Sequence, residues 1–257
     1  MTTTNLVRTV KANKMTVAIY DSRASMGSAA AIDAAAKLRE FLAAKEEVNI
    51  LFPCAVSQFE FFDALFSQHG IEWERVNCFV MDEYLGVSID SPARLANFAQ
   101  KHIFSKVPFK NGFAMDGANP DFEAACRAYA ELLEKHPLDI SCLGVGENGH
   151  LAYNEPGIAD FNDPKLVKVV EIDPASRVQA VRDGTFASAE DCVQYAMTIT
   201  VPPMVNAAYI SAVVPGPQKA KAIYKTVHDA VSTDCPSTIL RSYECVLYTD
   251  MDGGAKV

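Results

Sequence analysis

Four short polar segments of this sequence carry the residue types needed for proton transfer and for anion binding. They comprise residues 53–57, 82–84, 146–150 and 215–219. Each follows a run of apolar residues that is typical of a buried β-strand. Asp82 comes directly after the apolar run 76–81, so its carboxylate would lose hydration and could act as a base near neutral pH. The alternative is that Asp82 only caps the loop or the next helix.

His150 lies in a glycine-flanked loop, and Glu155 follows it five residues later. Imidazole is the side chain best suited to passing protons at physiological pH, and a nearby carboxylate can fix its tautomer and orientation. Such a pair can equally be a structural hydrogen bond, and the residues alone leave both interpretations open. Neither residue belongs to a metal-ligand spacing such as His-Glu-x-x-His, so we predict no metal site.

Lys219 begins a predicted helix directly after a Pro-Gly-Pro turn. The free N–H groups and positive dipole end of a helix start, together with an ammonium group, would make an anion site. The alternative is a solvated lysine at a helix end. Arg177 and Arg182 lie in a less regular stretch. Arginine is the preferred partner for bidentate phosphate binding, although most arginines are only surface charges.

The elements that must position these residues alternate between strand-like and helix-like runs. Strands are predicted near residues 15–20, 48–52, 76–81, 138–145, 196–200, 208–214 and 245–248. This alternation predicts one doubly wound α/β domain over residues 15–257, Rossmann-like, with a mainly parallel sheet and helices on both faces. Residues 1–14 are interpreted as a lead-in and residues 157–188 as a candidate lid. Because ligands bind outside the carboxyl ends of such strands, the four polar segments are expected to face one pocket.

The composition limits the classes of protein to consider. The chain has 257 residues, of which 49% are hydrophobic and 21% charged, as in a compact folded protein. Its net charge of −9, without a Lys/Arg cluster, argues against nucleic acid or an anionic membrane as a partner. No apolar run reaches the roughly 18 residues of a membrane-spanning helix. The polar start and the seven scattered cysteines lead us to expect a cytoplasmic protein with reduced thiols.

Taken together, these segments resemble the glucosamine-6-phosphate deaminase (isomerase) family, whose fold is shared by the 6-phosphogluconolactonases. The resemblance is carried by MDEYLG at residues 81–86 and by LGVGENGHLAYNEPG at residues 143–157. The second stretch is similar to the family's GxGxxGHxxFNEP signature, with tyrosine in place of phenylalanine. Residues 176–182, 216–220 and 235–240 resemble further family segments in the same order. The similarity covers nearly the whole chain after about the first fifteen residues.

The resemblance implies ring opening followed by proton transfer on an amino-sugar phosphate, with glucosamine 6-phosphate as the expected substrate. His150 would exchange the proton that opens the pyranose at its ring oxygen, with Glu155 and Asn148 orienting or assisting it. Asp82 would take the C2 proton of the open-chain sugar and return it at C1, and loss of ammonia would leave the ketose. No cofactor has to carry electrons. The substrate-binding residues implied by the resemblance are Cys54, Ser57, Gly144, Arg182 and Lys219.

One loop departs from the family pattern. Where the family has a glycine-rich run, residues 52–58 read FPCAVSQ, and Cys54 stands at the position of a threonine. Val56 is the larger change, because β-branching disfavours the positive φ that glycine accepts freely. Either phosphate binds through Ser57, Arg182 and Lys219, or the substrate is a different sugar or a differently placed anion.

Two other functions therefore stay open. The first is an isomerase or lactonase for a related sugar or sugar phosphate. Against it, the lactonase relatives carry DER instead of Asp82-Glu83-Tyr84 and lack the carboxylate that corresponds to Glu155. The second is a non-catalytic sugar-phosphate-binding protein, similar to effector domains of some bacterial transcription regulators. Such a regulator should carry a helix-turn-helix segment, which the short polar start is not expected to supply. The sequence leaves open whether the chain forms a homo-oligomer.

Overall fold

The computed structural model describes residues 4–257, which form one eight-stranded sheet, one three-stranded sheet and the helices that cover them. The strands are β1 (Leu6–Ala12), β2 (Met15–Tyr20), β3 (Val48–Phe52), β4 (Val76–Val80), β5 (Asp82–Tyr84), β6 (Asn111–Phe113), β7 (Ile140–Leu143), β8 (Val167–Glu171), β9 (Tyr195–Ile199), β10 (Tyr209–Val213) and β11 (Cys245–Asp250). The α-helices are α1 (Arg23–Ala44), α2 (Phe59–Phe66), α3 (Leu95–Ala99), α4 (Phe122–Lys135), α5 (Pro174–Arg182), α6 (Val201–Val205) and α7 (Ala220–His228). None of these helices is long and apolar enough to cross a bilayer.

The large sheet has the order β1-β2-β11-β10-β7-β3-β4-β6, and every neighbouring pair except β1 with β2 is parallel. This confirms the predicted mainly parallel α/β sheet. The chain builds outward from β3 in one direction and from β7 in the other, so the loops after these two adjacent strands diverge. Such a switch point opens a crevice at the carboxyl ends of the strands.

Helices on both faces of the large sheet bury two separate apolar cores. One core packs α1 and α2 against the sheet, and the other packs α4, α6 and α7 against the opposite face. Gly27 allows α1 to approach α2 closely, because a Cβ at this position would lie 2.7 Å from the carbonyl carbon of Glu60. Burial on both faces explains why β3 and β4 are apolar at four of their five positions, without alternation. The exceptions, Asn49 and Asn77, form a hydrogen bond with each other at 2.9 Å.

The predicted lead-in differs from the structure over most of its length. Instead of a loose segment, residues 6–12 form β1, an antiparallel edge strand paired with β2 through a turn at Asn13 and Lys14. The strand is mostly exposed, and Arg8, Thr9 and Lys11 interrupt its apolar residues, so the sequence shows no continuous apolar run there. Backbone hydrogen bonds to β2 hold it, and an edge strand with charged side chains is a usual way to end a sheet.

A second sheet, which the sequence does not predict, places β9 between β5 and β8 in an antiparallel arrangement. Strand β5 has only three residues, and it follows β4 after the single residue Met81. Asp82 therefore lies on a strand rather than in a free loop. This small sheet projects beyond the carboxyl ends of the large sheet and forms one wall of the cavity described next.

Candidate active site

A cavity of about 210 Å³ opens at the carboxyl ends of β3, β4, β7 and β10. All four polar segments singled out in the sequence contribute to it, together with α5. Of the nine predicted site residues, six line the cavity: Cys54, Ser57, Asp82, Gly144, His150 and Lys219. Glu155 and Asn148 contact each other behind the His150 side chain, and Arg182 is not among the lining residues.

Asp82 is a carboxyl group held in a poorly hydrated environment. Burial raises its pKa from an ordinary value of 3.8 to about 7, and the neighbouring charge of Glu83 adds to the shift. At neutral pH such a group is divided between its acid and its base form, which suits proton transfer in both directions. The role of Asp82 as a base stays a prediction.

The capping role that the sequence left open for Asp82 is taken by Glu83. Its fully buried carboxylate accepts hydrogen bonds from the backbone N–H groups of Tyr84, Leu95 and Ala96, at 2.8 to 2.9 Å. The guanidinium of Arg94 lies 3.5 Å away. Burial raises the pKa of Glu83, and these hydrogen bonds oppose the rise. Glu83 thereby fixes the start of α3, which borders the cavity next to Asp82.

His150 is held by a carboxylate and two neutral side chains. Its Nδ1 lies 3.1 Å from Glu155 Oε2 and 3.0 Å from Ser176 Oγ. Asn148 Nδ2 donates to the same Glu155 oxygen at 2.7 Å, and Asn148 Oδ1 accepts from the His150 backbone N–H at 3.1 Å. A carboxylate acceptor at Nδ1 favours the tautomer with the proton on Nδ1, which leaves Nε2 free to exchange a proton.

Glu155 remains a carboxylate although it is fully buried. Burial alone would raise its pKa, but hydrogen bonds and charge from His150, Ser176 and Asn148 lower it below the ordinary value. A charged Glu155 stabilises the imidazolium form of His150 whenever that ring takes up a proton. These contacts orient the imidazole and place a negative charge beside it, and the role of the pair in proton transfer stays a prediction.

The loop before His150 depends on a glycine against the imidazole ring. A Cβ on Gly146 would lie 2.2 Å from two atoms of that ring, far inside contact distance. The backbone of Gly146 also donates to the His150 carbonyl at 2.9 Å. The ring is thus held against the backbone of its own loop, a position that no residue with a side chain permits.

We expect Gly146→Ala to reduce kcat by about 100-fold, because displacing a reacting group by about 1 Å costs roughly that factor. The added methyl group must push the His150 ring away from Glu155. Gly70→Ala is the control for replacing a glycine as such. A Cβ at Gly70 would meet only Arg39, at 3.8 Å, so the cost of this substitution comes from the positive φ and not from a steric clash. Steady-state kinetics on both variants, with circular dichroism to verify folding, tests this. A Gly146→Ala enzyme within threefold of the wild-type kcat would contradict it.

A tight turn after His150 ties this loop to the small sheet. Ala152 adopts a positive φ of 52°, which is uncommon for a residue other than glycine. Asn154 Nδ2 donates to the carbonyls of Leu151 and Ile199, both at 2.8 Å. The Tyr153 backbone N–H donates to Thr198 Oγ1 at 3.0 Å, and Thr198 is the cross-strand partner of Asp82.

The altered loop after β3, which has Val56 where the family has a small residue, contains no positive φ angle. Val56 begins a short 3₁₀ turn that ends at Gln58, and Ala55 before it is extended, with φ of −141°. Among the described residues, the positive φ angles outside glycine occur only at Asn13 and Ala152. The predicted conflict at Val56 is therefore avoided, because the chain takes a conformation that β-branched residues accept.

The structure separates the two cations among the three predicted phosphate ligands. The ammonium group of Lys219 lies at the cavity, where its side chain is 9% exposed and burial lowers its pKa despite the nearby carboxylates of Glu147 and Asp183. The side chain of Arg182, at the end of α5, is 42% exposed and forms an ion pair with Glu147. The structure thus brings Lys219 to the cavity, whereas Arg182 stands beside it.

Several cavity residues escaped prediction because they lie in the stretch interpreted as a lid. Helix α5 contributes Ser176, Gln179 and Ala180, and the turn after it contributes Asp183 to Thr185. The sequence did hold a signal, since Asp173 caps this helix and Pro174 is its first residue. Within residues 4–257, no group of three or more His, Cys, Asp or Glu side chains is arranged to hold a metal ion.

Comparison with known proteins gives concordant matches. The family model described as glucosamine-6-phosphate isomerases/6-phosphogluconolactonase matches residues 21–248. A glucosamine-6-phosphate deaminase of Listeria monocytogenes serotype 4a (strain HCC23) is 32% identical over 197 residues, covering 77% of this chain and 82% of the relative. One from Exiguobacterium sp. is 34% identical over 191 residues, covering 74% and 73%.

Solved structures show the same fold at lower identity. A monomeric glucosamine-6-phosphate deaminase superposes with a TM-score of 0.84 at 23% identity, covering 94% of this chain and 99% of that one. A 6-phosphogluconolactonase from Thermotoga maritima superposes with a TM-score of 0.72 at 18% identity, covering 92% and 99%. At these identities the superpositions establish the shared architecture.

Proposed function

Because this chain belongs to the family of glucosamine-6-phosphate isomerases and 6-phosphogluconolactonases, we propose that it converts glucosamine 6-phosphate and water into fructose 6-phosphate and ammonia. One observation carries the choice of chemistry. Asp82, with a pKa of about 7, and His150, paired with Glu155, line the same cavity although they come from different strands. A hexose in that cavity can meet a base and an acid at once.

In the first step, His150 opens the sugar ring. Its imidazole takes the proton from the anomeric hydroxyl and gives a proton to the ring oxygen, so the C1–O5 bond breaks and an open-chain aldehyde forms. Glu155 stabilises the imidazolium that exists between these two transfers, and Asn148 keeps the Glu155 carboxylate in place. General acid–base groups of this kind contribute about two to four orders of magnitude in rate.

In the second step, Asp82 moves a proton along the sugar chain. Its carboxylate takes the C2 proton, the electron pair moves toward C1, and the aldehyde oxygen takes up a proton, which gives an enol-type intermediate. Return of the proton at C1, with loss of one proton from the amino group, leaves an imine at C2, which water hydrolyses to the ketone with release of ammonia. The steps balance without any transfer of electrons to a cofactor.

The substrate phosphate is expected at the Lys219 end of the cavity. Lys219 follows β10 at a 3₁₀ turn leading into α7, and Ser57 lies in the 3₁₀ turn after β3. An ammonium group with little access to water binds a phosphate oxygen through a charge-assisted hydrogen bond. A dianionic sugar phosphate does not cross a lipid bilayer unaided, so the proposal includes a cytoplasmic location.

Incubating the purified protein with a panel of sugars tests the proposed function. The panel contains glucosamine 6-phosphate, unphosphorylated glucosamine and a 6-phosphogluconolactone, and the readouts are ammonia, ketose and acid. We expect ammonia and ketose in equal amounts from glucosamine 6-phosphate. Acid release from the lactone alone would indicate a lactonase, and binding without any product would indicate a sugar-phosphate-binding protein.

We expect Lys219→Ala to raise KM for glucosamine 6-phosphate by about tenfold or more, since hydrogen bonds to charged groups contribute roughly 1.5–3 kcal/mol. The KM for glucosamine, which has no phosphate, should change little. Lys221→Ala is the matched control, because Lys221 is an exposed lysine only two residues further along, on α7. An unchanged KM for glucosamine 6-phosphate in Lys219→Ala would show that the phosphate binds elsewhere.

A further inference from the structure

The Lys219 end of the cavity carries two cations and two carboxylates in close proximity. Lys219 and Asp183 line the cavity, and Arg182 donates from Nη1 to Glu147 Oε1 beside them. Glu147, Asp183 and Arg182 all act electrostatically on the Lys219 ammonium group. The two positive and two negative charges cancel. This end of the cavity therefore lacks the excess of positive charge that a dianion would attract most strongly.

The ion pair between Arg182 and Glu147 lies beside the cavity and is tied to residues that line it. The backbone N–H of Glu147 donates to Gln179 Oε1 at 3.2 Å, and Gln179 Nε2 donates to Asp183 Oδ2 at 3.3 Å. These contacts join the loop that carries His150 to the last turn of α5. The position of Glu147 against Arg182 is thus fixed by the same contacts that join the His150 loop to α5.

A phosphate monoester and Glu147 would compete for the same guanidinium group. The phosphate carries about −1.5 to −2 charges at pH 7, and arginine binds it best through two parallel hydrogen bonds. While Arg182 is engaged with Glu147, it cannot offer its full donor set to a phosphate. The Glu147 carboxylate would also repel the incoming dianion, whereas a neutral sugar would feel neither effect.

We propose that Glu147 is a specificity-determining residue, which competes with the substrate phosphate for Arg182. This rests on the proposed function, because it takes the phosphate of the substrate to bind at the Lys219 end. Phosphate binding then requires Glu147 to release Arg182. The affinity for phosphorylated sugars is therefore lower than Lys219 and an unengaged Arg182 would give together. The preference for phosphorylated over neutral sugars is smaller for the same reason.

Titration with inorganic phosphate tests this competition without relying on turnover. Isothermal titration calorimetry at constant low ionic strength would compare the wild-type protein with Glu147→Gln, which keeps the shape of the side chain and removes its charge. We expect the Kd for phosphate to fall by about fivefold, the factor that corresponds to an exposed ion pair. Glu171→Gln is the control, because Glu171, at the end of β8, forms an ion pair with Arg177 of α5.

A double-mutant cycle assigns the effect to Arg182. In an Arg182→Ala background, Glu147→Gln should improve phosphate affinity by less than twofold, since there is no guanidinium left to release and only the repulsion between Glu147 and the phosphate is relieved. The KM values of these variants for glucosamine 6-phosphate should follow the same order as their Kd values for phosphate. Their KM values for glucosamine should be equal. Circular dichroism verifies that each variant is folded.

Three results would overturn the competition. They are a Kd for phosphate in Glu147→Gln that is unchanged or higher, an equal gain in Glu171→Gln, and an equal gain in the Arg182→Ala background. Absence of phosphate binding in every variant would also overturn it. The proposed function fails separately: a protein that shows the expected phosphate affinities but releases no ammonia from glucosamine 6-phosphate has the site without the reaction.

Discussion

Asp82→Asn should lower kcat on glucosamine 6-phosphate by about three orders of magnitude, within the range that a general base contributes. Asparagine has almost the same size and shape as aspartate but cannot accept the C2 proton. Substrate binding should be preserved, because the change leaves the Lys219 end untouched. The exposed carboxylate of Asp116, which pairs with Arg94, provides the control variant Asp116→Asn. A wild-type rate in Asp82→Asn would remove Asp82 from the reaction.

The same variant should be more stable than the wild type at pH 8. The folded protein holds the Asp82 proton with a pKa of about 7, whereas the ordinary value is 3.8. The folded state therefore binds this proton more tightly, so ionisation of Asp82 destabilises it progressively as pH rises from about 4 to about 7. Thermal unfolding should show an advantage for Asp82→Asn that grows over this window. A less stable variant at pH 8 would contradict the raised pKa.

Activity should follow the same ionisation. If Asp82 must be a carboxylate to take the C2 proton, kcat/KM for glucosamine 6-phosphate should rise with pH and level off above about 7. The rising limb should be absent from the residual activity of Asp82→Asn. A profile in the wild type that is flat between pH 5 and 8 would mean that another group abstracts the proton.

His150→Gln should reduce turnover of the ring form by about two to three orders of magnitude, because glutamine cannot carry the proton from the anomeric hydroxyl to the ring oxygen. An analogue that lacks both the C4 and the C5 hydroxyl can close neither a furanose nor a pyranose and needs no ring opening. Its C2 proton exchange, followed in deuterated water, should be reduced far less. Equal losses on both substrates would assign His150 to a step other than ring opening.

Glu155→Gln is the companion variant that separates charge from geometry. Glutamine can still bond to His150 and Asn148, but it does not stabilise the imidazolium. We expect an intermediate loss on the ring form and little change on the analogue. The contrast between the two substrates should therefore have the same direction in both variants, and an opposite direction would separate Glu155 from the ring-opening step.

The sequence predicts those parts of the site that lie at the ends of long buried strands. Continuous apolar runs such as β3, β4 and β10 are recognisable without tertiary information, and parallel order places their carboxyl ends together. Asp82, His150 and Lys219 each follow such a run. That is why the sequence alone assigns these residues, which are far apart in the chain, to one cavity.

The features that the sequence does not predict depend on contacts between segments. Strand β5 has three residues, too few for a periodic pattern, and it forms only because β9 supplies its hydrogen bonds. Helix α5 shows no apolar stripe, since only two of its residues are buried. The engagement of Arg182 by Glu147 brings together residues 35 positions apart, and either side chain taken alone looks like an ordinary surface charge.

Asp82 and His150 belong to different sheets, so hydrogen bonds between those sheets help to set the distance between them. Asp82 lies on β5 of the small sheet, while His150 lies on the loop after β7 of the large sheet. The Tyr153 N–H bond to Thr198 Oγ1 and the Asn154 Nδ2 bond to the Ile199 carbonyl join that loop to β9, the strand paired with β5. A substitution that removes one of these bonds would therefore alter the spacing of the two groups without changing either side chain.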